Sequence, residues 1–294
     1  MRGTQSRRMD TDRGRMCSID GFSRDFYEVH GYLLVRGLLE PGEVNALREE
    51  VQQALSSSYD FRRRPLDFAT GTAGLYLPMV GPATPLSRAL LADSRFLGVA
   101  GTLLRSQVVP KPAKGILYRD ASPWHCDSAD ERLRAVKAVA YLDPLAASTG
   151  ALQVLPGSHQ FEQAGRLARY RDRWPAREPV FDERDEAGRW PGVVLATNPG
   201  DVIFFDVHLW HASLLGRDRL QWSVSYAATP VGNLDRESVR SYISSFLSAG
   251  HNFDLAVYPY YDPAWSGASR PAFADVMASL ELIQLESDGD GLDQ

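Results

Sequence analysis

Two hydrophobic periods divide the chain near residue 107. Before it the spacing is helical. Phe26, Tyr27 and Val29 predict a short helix, and His30 to Leu39 reads as an apolar strand after a glycine turn. Pro41-Gly42-Glu43 then opens a helix with Val44, Leu47, Val51 and Leu55 on one face. Residues 57–82, rich in aromatics and glycine, read as loop, and Leu86 to Leu104 returns to helical spacing. Beyond 107 come short β-type runs between Gly, Pro, Asp and Ser turns: Val108-Val109, Ile116 to Tyr118, Val136 to Leu142, Leu152 to Leu155, Val193 to Ala196, Val202 to Phe205 and Ser223 to Ala227. Helices in front and many short strands behind predict an α+β domain built on an antiparallel sandwich or barrel.

Three segments fall outside this pattern. Residues 1–20 are polar and basic and read as a disordered arm, leaving 21–294 as one domain. Residues 160–190, rich in Arg, Glu and Asp, form one long excursion of the kind that serves as a lid. Residues 231–268 form an aromatic tail, and Phe273 to Leu285 predicts a last helix.

Composition narrows the class. A chain that is 44% hydrophobic and 23% charged reads as a soluble globular protein. Its net charge of -5 gives no reason to expect nucleic acid or an anionic membrane as partner. Only Lys111, Lys114 and Lys137 of the 32 basic residues are lysines, a bias that coding composition explains more simply than phosphate recognition. Two cysteines, Cys17 and Cys126, cannot build a disulfide framework. With no apolar leader and no run of membrane length, the expected location is the cytoplasm.

The chemistry gathers on histidines. Of the six, only His125 is followed two residues later by an acid, Asp127. On a strand these positions share a face, so an imidazole and a carboxylate can hold one divalent ion. His211, at the end of a second apolar strand, supplies a third ligand. Two histidines and one carboxylate form the facial triad of non-haem iron(II) oxygenases, with positions left open for dioxygen and a co-substrate. Arg219, eight residues on, can grip a dicarboxylate in a bidentate pair, and Ser213 can add a hydrogen bond. 2-Oxoglutarate suits this arrangement. His208 is a rival third ligand and otherwise a core histidine. Lys137, inside an apolar run, either snorkels to solvent or reaches a carboxylate in the barrel.

WHCD, STGALQVLPGSH (Ser148 to His159), PGD (Pro199 to Asp201) and HAS followed by Arg219 resemble the phytanoyl-CoA dioxygenase family of iron(II)- and 2-oxoglutarate-dependent oxygenases. HGYLLVRGLLEPGEVNAL is similar to that family's opening, so the resemblance runs over roughly 22–230. It implies a double-stranded β-helix (jelly-roll, cupin-like) core with N-terminal and flanking helices. It carries Fe(II) onto His125, Asp127 and His211, and the 2-oxoglutarate carboxylate onto Arg219 and Ser213. The distal histidine is closer to the arginine than is usual there, but the Ala-Ser after His211 favours it over His208. The expected activity is hydroxylation of an unactivated C–H bond in a small molecule such as a secondary metabolite, amino acid or nucleotide, using O₂ and releasing succinate and CO₂. Two other readings stand beside it: a jelly-roll metal sensor without turnover, and a cupin enzyme using O₂ without 2-oxoglutarate.

Overall fold

Two antiparallel sheets face each other in the computed structural model, which describes residues 19–59, 66–67, 72–172, 190, 192–247 and 253–286. Residues 1–18, with Cys17, lie outside the described set. So do His251 and residues 173–189 of the expected lid.

The helical half forms α1 (Gly21–His30), β1 (Tyr32–Val35), α2 (Pro41–Ser58), β2 (Leu66–Asp67), β3 (Thr72–Pro78), α3 (Pro85–Leu91) and α4 (Ser94–Leu104). Asp20, placed in the expected arm, caps α1 by accepting from the Ser23 amide at 2.8 Å. The helix expected over 86–104 is two helices. Asp93 restarts the chain by accepting from the Arg95 amide at 2.7 Å. Residues 57–82, expected as loop, contain β3.

The second half runs β4 (Val108–Tyr118), β5 (Ser122–His125), β6 (Ala135–Tyr141), β7 (Leu152–Val154), α5 (Phe161–Asp172), β8 (Val193–Leu195), β9 (Val202–Asp206), β10 (His211–Ser213), β11 (Arg219–Ala228), α6 (Asn233–Ser244) and α7 (Phe273–Ser279). Two runs expected as separate strands merge in β4. α6 lies in the segment read only as an aromatic tail. α7 stops short of Leu285, as Glu281 turns to φ 58°.

The larger sheet has the order β1-β9-β6-β11-β4-β3-β2 and the smaller β5-β10-β7-β8. Period-two alternation explains how they pack. On β6, β9 and β11, Val136, Ala138, Val202, Phe204, Leu220, Trp222, Val224 and Tyr226 join the core beneath the helices. The alternate residues Val139, Tyr141, Ile203 and Phe205 face the smaller sheet. On β11 those alternate positions are polar: Arg219, Gln221, Ser223 and Ser225, all buried. Next to the smaller sheet, Phe246 and Tyr260 pack on Tyr76 and Ile116 and cover β3 and β4. The polar cleft lies between these two covers.

Candidate active site and metal centre

His125 closes β5 and His211 opens β10, and the two are register partners with ring centroids 4.3 Å apart. His211 is therefore not the end of the apolar strand β9. A turn carries the chain from the larger sheet to the smaller one first. Asp127 lies beyond β5, and its amide donates to the Val207 carbonyl at 2.8 Å. That bond, rather than the pleat alone, aims its carboxylate.

Each histidine is fixed by its own backbone. His125 Nδ1 donates to the Pro123 carbonyl at 2.7 Å, and His211 Nδ1 to the Leu209 carbonyl at 2.8 Å. Carbonyls only accept, so each Nε2 carries the lone pair. These Nε2 atoms lie 4.0 and 3.9 Å from Asp127 Oδ1, and ligand atoms of the three residues lie within 4.8 Å of one another. An ion with bonds of about 2.1 Å sets cis ligand atoms about 3 Å apart, so binding would draw these three side chains inward from their metal-free separations. The donor set is that of a facial triad, with the cleft on its open side.

Lys137 resolves the oddity of its apolar run. It points into the barrel and donates to Asp127 Oδ2 at 3.0 Å, leaving Oδ1 toward the histidines. Burial would raise the Asp127 carboxyl, but the Lys137 ammonium beside it overcomes that and holds the group well below the usual range. Lys137 is pushed up, because the Asp127 charge outweighs its own desolvation. Burial, reinforced by His125, lowers His211 to about 3, so it stays a neutral ligand.

The far end of the cleft belongs to Arg219, which is 2% exposed. Its Nη1 donates to Ser213 Oγ and its Nη2 to the Asp120 carbonyl at 2.7 Å, while Tyr118 stacks on it 5.1 Å away. Ser213 Oγ donates in turn to the Gly150 carbonyl. Arg219 Nε has no partner, and no carboxylate among the described residues pairs with this guanidinium. A buried cation with a spare donor fits a ligand carboxylate. Gly150, at φ 87°, makes the room: a Cβ there would come within 2.7 Å of Arg219 Cδ and of Gly216 Cα. The cleft runs from His125, His211 and Lys137 past Tyr141 to Ser213 and Arg219.

The rival histidine and other side chains near the ligands fall elsewhere. His208 Nδ1 bonds Asp206 Oδ1 at 2.8 Å and its Nε2 bonds the Asp130 carbonyl at 2.9 Å. Burial would lower its pKa, but the Asp206 contacts raise it, so neither nitrogen is available to a metal. Arg217 pairs with Asp120 at 3.3 Å. Trp124 and Trp210 pack with Trp190 on the outer face of the smaller sheet. Sequence reasoning missed Tyr118, Tyr141 and Gln221, which line the cleft. The signal for Gln221 was present in the alternation of β11 from Arg219 onward.

A family model described as phytanoyl-CoA dioxygenase matches residues 27–215, more than half of the chain. It ends before Arg219. Ectoine dioxygenases of Bordetella bronchiseptica and Bordetella parapertussis are each 23% identical over 212 residues, covering 64% of this chain and 67% of theirs. The solved structure of EctD from S. alaskensis, with 2-oxoglutarate and 5-hydroxyectoine, is similar at TM-score 0.54 and 20% identity, over 75% of this chain and 79% of that one. HygX from Streptomyces hygroscopicus, with nickel and 2-oxoglutarate, is similar at TM-score 0.57 and 18% identity, over 72% and 88%. The shared fold is the jelly-roll core with flanking helices. The chain belongs to the phytanoyl-CoA dioxygenase family, the iron(II)- and 2-oxoglutarate-dependent oxygenases that its motifs resemble.

Proposed function

We propose that the protein hydroxylates an unactivated C–H bond of a small molecule, holding Fe(II) on His125, Asp127 and His211 and 2-oxoglutarate against Arg219 and Ser213. The observation that carries this reading is the convergence of two Nε2 lone pairs and one carboxylate oxygen on a cleft whose other end is a buried arginine with no counter-ion among the described residues. A ferrous ion with 2-oxoglutarate and O₂ supplies the oxidising power, and the products are the hydroxylated substrate, succinate and CO₂.

The chain's own residues orient and exclude. Carbonyl hydrogen bonds keep both imidazoles from rotating, and Lys137 keeps Asp127 Oδ2 occupied. Arg219, pinned by Ser213 and the Asp120 carbonyl, presents its spare donors to the far carboxylate of the co-substrate. Val139, Leu152 and Phe205 line the cleft with apolar surface that limits water. The same reading takes 21–294 as one oxygenase domain and 160–190 as its lid. In the described part of that segment, Phe161 meets the His208 ring edge-on at 4.9 Å. A cupin enzyme without 2-oxoglutarate does not account for the buried Arg219, and a metal sensor without turnover is separated by Fe(II)-dependent succinate formation.

The test is substrate-stimulated turnover of 2-oxoglutarate across a panel of small molecules, with product masses. Hydroxylation predicts one added oxygen atom per succinate. A product that has only lost two hydrogens would replace hydroxylation by desaturation.

A further inference from the structure

The chain uses arginine almost everywhere, yet its lysines lie at Lys111, Lys114 and Lys137, close together in the fold. Register explains how. Ser225 on β11 pairs with Lys111 on β4 and with Lys137 on β6, and Ser223 pairs with Lys114. All three lysines therefore share the inward face with Arg219 and Gln221. Strand spacing puts the backbones of Lys111 and Lys137 roughly 10 Å apart, on either side of Ser225.

Lys111 is the least explained of the three. It is 7% exposed. Its ammonium donates to Ser245 Oγ at 2.6 Å and rests over the Tyr242 ring at 4.2 Å. None of these groups is an anion, and no carboxylate among the described residues pairs with Lys111. The end of α6 beside it offers only a partial negative charge. Burial lowers its pKa to about 8. A buried ammonium without an anion works against folding, so a purely structural role is poorly served by lysine.

Charge balance across the cleft points the same way, given the metal and co-substrate just proposed. Counted by contact, Lys137 is paired with Asp127, Arg219 would take one co-substrate carboxylate and the divalent ion the other. Lys111, across Ser225 from Lys137, is left without an anion, and one charge of the metal is left with it. We propose that Lys111, with Ser225 and Lys137, forms a subsite for an anionic group of the substrate, a carboxylate or a phosphate, so that the molecule oxidised is an organic acid or phosphate ester. A compact, hydrated point charge suits either group.

The experiment uses the full chain loaded with Fe(II) and 2-oxoglutarate under argon. The visible charge-transfer band of the iron–keto-acid chelate reports that the site has formed. Inorganic phosphate and acetate are then titrated separately. The expected result is a saturable shift of the band, without its loss, by at least one anion; which anion acts identifies the group recognised. Lys111→Met and Lys111→Gln should weaken that anion by about tenfold or more, the scale of one charge-assisted hydrogen bond. Lys111→Arg should retain it. Glutamine keeps a donor for Ser245, so it separates lost charge from lost packing. The thermal midpoint of Lys111→Met should be unchanged or higher, whereas a structural pin would lower it. The subsite is overturned if the band forms and neither anion shifts it, if anions only abolish it by displacing 2-oxoglutarate, or if the neutral variants bind as tightly as wild type. Failure of the band to form would instead refute the metal and 2-oxoglutarate assignment, and this inference with it.

Discussion

Replacing Arg219 by alanine tests the co-substrate end of the cleft, the part that the family match does not reach. A guanidinium has five N–H donors. One goes to Ser213 Oγ and one to the Asp120 carbonyl, which leaves three, the unpartnered Nε–H among them. A bidentate carboxylate would use two of those three. Two charge-assisted bonds, offset by water entering the emptied space, give a loss of about 3 kcal/mol, roughly a hundredfold in affinity. The fold should tolerate the change, because a buried cation with no counter-ion among the described residues is removed. The assay is the dissociation constant of 2-oxoglutarate with metal present, beside metal affinity alone. The expected outcome is a roughly hundredfold weaker 2-oxoglutarate constant with metal affinity unchanged. A constant within a factor of about three of wild type, which is under 1 kcal/mol, would refute the reasoning.

Other perturbations separate the roles of neighbouring side chains. Lys137→Met leaves the Asp127 carboxylate partly buried without its cation, and should destabilise the metal-free protein by about 3 kcal/mol in urea denaturation; an unchanged midpoint would mean the ion pair contributes nothing. Gly150→Ala forces a Cβ to within 2.7 Å of Arg219 Cδ at a backbone φ of 87°, so it should raise the KM for 2-oxoglutarate more than it lowers kcat in steady-state kinetics. The metal-free protein should lose stability as pH falls from about 6.5 toward 3, because the unfolded chain takes up a proton near 6.5 that folded His211 refuses until about 3. His208 has the opposite sign, since its folded pKa is raised and its contribution fades with rising pH. His211→Asn should therefore steepen nothing and flatten the acid limb of a stability–pH curve; an unaltered limb would remove His211 as its source.

Much of the site was legible because β-strands convert sequence spacing into a shared face. His125 with Asp127 was read from a period of two, although Asp127 lies just beyond β5, and on β11 the same period continues from Arg219 to Gln221, Ser223 and Ser225, of which only Arg219 was read as a site residue. In the run Val136 to Tyr141 every residue but Lys137 is apolar, so the sequence left Lys137 open between solvent and the barrel, and the structure decides for the barrel. What could not be read was which sheet each short run would join. β9 and β10 are separated by only a few residues, yet lie in opposite sheets, so His211 looked like the end of one strand when it opens another. α6 was hidden because its buried face is carried by Val239 and Ile243 with a serine, Ser238, among many polar residues. The role of Lys111 needed the register of three strands, which no local pattern supplies.

The central claim is that His125, Asp127 and His211 hold the iron that turns over 2-oxoglutarate. Its most direct test is Fe(II)-dependent succinate release in air, measured side by side for wild type, Asp127→Ala and His208→Ala. The account predicts succinate from wild type, none above the no-enzyme background from Asp127→Ala, and retained release from correctly folded His208→Ala, whose ring nitrogens face Asp206 and Asp130 rather than the cleft. Full succinate release by Asp127→Ala, or its loss only when His208 is changed, would contradict it.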